Sequence, residues 1–164
     1  MVTMKALKDL FEELGFLGVQ SYINSGNILF YSDREETGEL ATLCHDAIQN
    51  SLNMDIGLMV LSAEELVEAM SHAPDWWDIG AEIKHNAIFV IPPATSEEIV
   101  SGIGETKPQF EKVDYYGPII FWSAPLATFS RTRWSQIVKT KYYSSITIRN
   151  ANTARKLVSL LQKA

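Results

Sequence analysis

From Asn86 to Leu161 the apolar residues switch between strand-like and helical spacing in a definite order. A strand at Asn86–Ile91 is followed by a helix from Ser96 to about Ile103, then by strands Phe110–Tyr115 and Ile119–Trp122 turning at Gly117-Pro118. A helix from about Ser130 to Thr140, a strand Ser145–Ile148 and a helix Asn152–Leu161 complete the pattern. The residues before it run through the same order with one omission. A helix at Thr3–Leu14 leads to strands Val19–Ile23 and Ile28–Tyr31 around the turn Asn24-Ser25-Gly26-Asn27. A helix Glu36–Leu52, a strand Ile56–Leu61 and a short helix from Ser62 to about Met70 follow. The first strand has no counterpart.

The order βαββαβ plus one helix is the split βαβ, or ferredoxin-like, arrangement. The expected fold class is therefore α+β, with an incomplete ferredoxin-like subdomain at 1–72, a linker at 73–84 and a complete one at 85–164. The first strand of such a unit is interior to its sheet, so leaving it out exposes strand edges rather than shortening the sheet. That edge calls for a strand from another subunit, a rearranged pairing or further residues, and it makes a homo-oligomer through the first half an expected partner.

Composition excludes wholesale disorder, with 46% hydrophobic and 21% charged residues. No apolar run reaches the roughly 20 residues of a membrane span, and the first residues read as an amphipathic helix rather than a leader. The expected location is the cytoplasm, with no membrane partner. The single cysteine, Cys44, has no intrachain partner for a disulfide. The net charge of −6 conceals an asymmetry: all twenty Asp and Glu lie at or before Asp114, whereas 115–164 holds eight Lys and Arg and no acid.

The stretches Ser21-Tyr22-Ile23-Asn24-Ser25-Gly26-Asn27-Ile28 and Ile146-Thr147-Ile148-Arg149-Asn150-Ala151-Asn152-Thr153, with Lys156-Leu157 after them, resemble the hallmarks of a family of uncharacterised bacterial proteins, domain of unknown function 1697. The resemblance implies a pair of ferredoxin-like subdomains and no established activity. Members of that family usually open with an apolar strand and an Arg-Gly-Ile-Asn-Val-Gly-Gly-like loop. Here Met1 stands beside the first helix, so the departure coincides with the missing strand.

Three stretches carry candidate chemistry. Arg149, Asn150, Asn152 and Thr153 sit where a strand meets a helix, and a guanidinium with helix N–H groups can bind phosphate or carboxylate. The plainer alternative has Asn152 capping the helix and Arg149 paired with an acid. Asn24, Ser25 and Asn27 could cradle an anion, or serve only as hairpin chemistry. Arg131 and Arg133 belong to the basic segment, whose interleaved aromatics suit single-stranded nucleic acid, or an acidic face of this chain or a neighbour. Asp75 and Asp78 flank Trp76-Trp77, which would line a pocket or pack. His45, His72 and His85 are scattered without metal-ligand spacing, and no nucleotide or hydrolase motif is present, so neither metal nor cofactor is expected. The expected function is a non-catalytic binding or interaction module with an anion site for phosphate, nucleotide or nucleic acid. The alternative is an enzyme acting on a small phosphorylated or carboxylated metabolite between the halves.

Overall fold

The computed structural model describes residues 3–22 and 26–162. The chain divides into two compact units, 1–62 and 63–164. Both mix helices with antiparallel strands, an α+β architecture.

In the first unit, α1 (Met4–Glu13) starts at Thr3, whose hydroxyl accepts from the Ala6 N–H at 3.0 Å. Strands β1 (Leu17–Tyr22) and β2 (Asn27–Tyr31) form an antiparallel pair with Leu17 opposite Tyr31 and Tyr22 opposite Asn27. The register slips between Leu17 and Gln20, at Gly18. Gly18 has φ +58°, and a Cβ there would lie 2.9 Å from the Tyr31 ring, so the bulge requires glycine twice over. Helix α2 (Thr37–Leu52) is capped by the Glu36 carboxylate, which accepts from the Gly38 and Glu39 N–H groups. It ends at Asn53 in the left-handed conformation. Leu10, Phe11, Phe16, Val19, Leu40, Cys44 and Ile48 form the core, with Phe16 and Phe30 stacked at 4.2 Å.

The residues expected as strand Ile56–Leu61 do not form a ladder. They nevertheless keep strand periodicity. Met54, Ile56, Leu58 and Val60 pack against the core just described, while Asn53, Asp55 and Gly57 are exposed. Among the described residues, no backbone N–H or C=O of 54–61 bonds to another backbone group. The segment is patterned as a strand without a ladder among the described residues.

The second unit begins with α3 (Ala63–Ser71), ahead of the expected boundary. The expected linker at 73–84 lies inside this unit: Trp77 is 1% exposed, its ring meets Phe121 edge to face at 5.1 Å, and its Nε1–H donates to the Asn86 carbonyl at 2.9 Å. Burying an indole there ties the segment to the sheet. Strands β3 (Ile83–Val90), β4 (Lys112–Tyr116), β5 (Ile119–Pro125) and β6 (Ile146–Asn150) make one sheet in the order β4-β5-β3-β6, with every neighbouring pair antiparallel. β3 is buried along nearly its whole length because it is interior.

One face of this sheet carries Ile88, Val90, Ile120, Trp122 and Ile146, which pack with Ile99 and Ile103 of α4 (Ser96–Ile103) and with Trp134 and Ile137. His85, Ala87, Phe121, Ser123 and Arg149 alternate onto the opposite face. Helix α5 (Ala151–Gln162) contacts β3 and β6, and its Arg155 lies over the Trp77 ring.

The helix expected at Ser130–Thr140 is instead a run of 3₁₀ turns: Leu126–Arg131, Trp134–Lys139 and Lys141–Ser145. Its hydroxyls explain the difference. Thr132 donates to the Phe129 carbonyl at 2.7 Å, Ser135 to the Thr132 carbonyl at 2.9 Å, and Thr140 to the Ile137 carbonyl at 2.7 Å. Such local bonds compete with the i to i−4 ladder.

Candidate functional site

β6 delivers Arg149 to its end, directly opposite Ala87. The half-buried guanidinium donates to the Thr147 hydroxyl at 2.5 Å and to the Ile148 carbonyl at 3.0 Å. Burial lowers its pKa from the usual guanidinium range. Asn150 closes the strand and caps α5, its Oδ1 accepting from the Thr153 N–H at 2.8 Å. The cap is therefore Asn150 and not Asn152, which is exposed at the second position of α5. Thr153 is buried. Arg149, Asn150 and Thr153 are thus brought together at one helix start, with one of its N–H groups already engaged.

The other candidates lie apart from this cluster in function. Asn24 and Ser25 are outside the described residues. Asn27 is buried at the start of β2, and its Nδ2 donates to the Tyr22 carbonyl at 3.2 Å, closing the hairpin. Arg131 and Arg133 have exposed side chains, and the fold uses their backbones: the Arg131 carbonyl accepts from Lys107 Nζ at 3.1 Å, and the Arg133 N–H donates to Glu111 at 2.6 Å.

The charge asymmetry is also redistributed by folding. The first unit has nine Asp and Glu against three Lys and Arg, and the second has eleven of each. The basic segment 115–164 shares its unit with the acids of 63–114, and Arg155 pairs with Asp78 at 2.5 Å. Of its aromatics, Phe121, Trp122 and Trp134 are buried and cannot stack on a base, whereas Tyr115, Tyr116 and Tyr143 remain exposed.

The three histidines have separate surroundings. His45 bonds Asp55 at 2.8 Å and sits by Asp46 at 3.4 Å, and the two carboxylates hold its pKa above the usual range. His72 stacks on Tyr116 at 3.7 Å, and Tyr116 donates to Glu68. His85 is buried, lies opposite Ser123 on β5 and bonds its hydroxyl at 2.5 Å, with burial lowering the imidazole pKa. Cys44 is fully buried, which pushes its thiol up to about 11 and removes it as a thiolate nucleophile at neutral pH. Among the described residues no group of three or more His, Cys, Asp or Glu could hold a metal ion. An open depression of about 540 Å³ lies between Ala94, Glu98 and Ser101 on one side and Lys141, Tyr142 and Ser145 on the other. Of the stretches singled out from the sequence it touches the basic segment, through Lys141 and Tyr142.

Two features escaped the sequence. Glu111 is 3% exposed and its carboxylate accepts from the N–H groups of Lys107, Arg133 and Trp134. The other is that 54–61, expected as a strand beside an open edge, forms no ladder at all among the described residues.

No helix among the described residues is long and apolar enough to cross a membrane. Comparison with curated proteins returns no match. A solved structure, that of a conserved bacterial protein from Streptococcus pneumoniae, is similar with a TM-score of 0.88 and 26% identity, covering 99% of this chain and 90% of that one. Residues 1–121, which include the hairpin stretch but stop short of 146–153, match the model of a protein family of unknown function, DUF1697. That match spans most of the chain, and the chain belongs to the DUF1697 family.

Proposed function

We propose that this protein is a binding module, not a catalyst, and that its working surface is the sheet edge of the first unit at 54–61. The observation that carries this reading is the segment 54–61. It has strand periodicity and a core-facing apolar edge, yet no backbone partner among the described residues. In the second unit the strand order β4-β5-β3-β6 supports a ferredoxin-like reading, with 3₁₀ turns standing where a second helix is usual. There the first strand, β3, pairs on one side with the second hairpin strand and on the other with the strand after the crossover. By the same order the segment 54–60 belongs to the sheet of the β1-β2 hairpin, yet it shares no ladder with that hairpin among the described residues. Strand addition to an exposed edge is a general mode of recognition, because backbone groups supply affinity and alternate side chains supply specificity.

The test is amide hydrogen exchange on the chain, with its mass measured by light scattering. In the monomer, the amides of 54–60 are expected to exchange about 100-fold or more faster than those of β3. Equal protection in the monomer would sink this reading. Protection that grows with concentration would identify a homo-oligomer as the form in which the edge is covered.

A second reading places a small anion at Arg149. It is favoured by the half-buried guanidinium beside the Asn150-capped start of α5. Inorganic phosphate titrated by NMR is expected to shift the Ala151 to Thr153 amides, and Arg149→Ala to weaken that binding about tenfold. Unchanged binding in the variant would remove the site. The same pocket chemistry would be the starting point for the enzyme alternative.

A further inference from the structure

The sheet of the second unit ends at β4. We infer that this edge pairs with the β4 edge of a second copy of the chain, in a two-fold antiparallel register that sets Lys112 of each copy opposite Asp114 of the other. The inference is independent of the segment 54–61 and rests on the second unit alone.

The backbone groups that β4 offers follow from its hairpin. Tyr116 stands opposite Ile119 across the two-residue turn Gly117-Pro118, and the residues flanking such a turn bond each other. By alternation Asp114 and Lys112 also turn their backbones toward β5, while Val113 and Tyr115 turn theirs outward. The Tyr115 N–H agrees with that parity, because it donates to the Asp114 carboxylate at 2.8 Å. Lys112, Asp114, Tyr115 and Tyr116 are all exposed, so the edge is accessible along its length. At the opposite edge of the sheet the Arg149 guanidinium already takes the Ile148 carbonyl of β6 at 3.0 Å.

Charge then selects the partner and the register. A two-fold axis perpendicular to the sheet keeps every residue on its own face, so the possible self-pairings are those centred on a single residue. Centred on Asp114, two carboxylates would meet directly, and centred on Lys112, two ammonium groups would. Centred on Tyr115, Lys112 would fall opposite Pro118, beyond the strand. Centred on Val113, each Lys112 faces an Asp114, at the non-hydrogen-bonded sites where side chains approach most closely. The two Val113 backbones exchange N–H to C=O bonds there. Asp114, drawn to Lys112, releases the Tyr115 N–H to the Glu111 carbonyl of the second copy. A pair of five-residue strands is a small interface, so the association is weak and concentration-dependent.

The test uses the whole chain at low salt, with its mass followed by light scattering from about 10 μM to about 1 mM. The mass is expected to rise from one chain toward two, with slowed exchange of the Val113 amide and none of the slowing at 54–60. Lys112→Asp and Asp114→Lys, each placing like charges opposite one another, are expected to weaken pairing at least about tenfold. Mixed together, the two variants restore opposite charges at both sites and are expected to pair with each other. A mass that stays at one chain near 1 mM would overturn the inference. So would a dimer indifferent to both reversals, or one that slows exchange at 54–60 instead of Val113, since either would use another surface. Reversal variants that dissociate alone and fail to pair when mixed would overturn the Val113-centred register.

Discussion

Replacing Glu111 by alanine is expected to lower stability by about 3–5 kcal/mol, because three backbone donors lose a buried acceptor at once. Its Oε2 accepts from the Lys107 N–H at 3.1 Å and from the Arg133 N–H at 2.6 Å, while Oε1 accepts from the Trp134 N–H at 3.0 Å. One carboxylate thus joins the turn before β4 to the start of the second 3₁₀ turn, whose Trp134 and Ile137 fill the core against α4. Glu111→Gln keeps a single acceptor oxygen and is expected to lose roughly half as much. Urea denaturation measures both, with exchange of the Arg133 and Trp134 amides as the local readout. A loss under about 1 kcal/mol for the alanine variant would mean that water replaces the carboxylate at these donors.

Trp77→Ala is expected to cost about 3–5 kcal/mol, the range for removing a large buried aromatic from a core that only partly collapses. The indole packs against Phe121, carries Arg155 over its face at 5.2 Å and donates to the Asn86 carbonyl on the interior strand. Trp77→Phe retains most of the apolar contact and forfeits the hydrogen bond, so about 1–2 kcal/mol is expected. Equilibrium denaturation separates the two. A cost below about 1 kcal/mol for the alanine variant would mean that 73–84 behaves as a detachable linker after all.

Those two residues also show why the sequence was read unevenly. Period and punctuation are local properties, and they were sufficient for α1, the β1-β2 hairpin, α4 and the interior strand β3. They placed Arg149 and Asn150 at a strand-to-helix junction, where the structure has them. They put the alternative cap at Asn152, whereas the chain entering α5 makes Asn150 the cap. Residues 130–140 had helical spacing, but hydroxyl bonds and a carboxylate 22 or 23 positions away in sequence turned them into 3₁₀ turns.

By itself, then, the sequence determined the five α-helices, the β1-β2 hairpin and the interior strand β3. Each of these follows from nearest-neighbour chemistry along the chain. Only the tertiary structure decided that Trp77 belongs to a core, that the basic segment shares a unit with as many acids, and that 54–61 keeps its pleat with no described backbone partner. Those outcomes depend on residues far apart in sequence meeting across a sheet, where burial and backbone pairing are settled together.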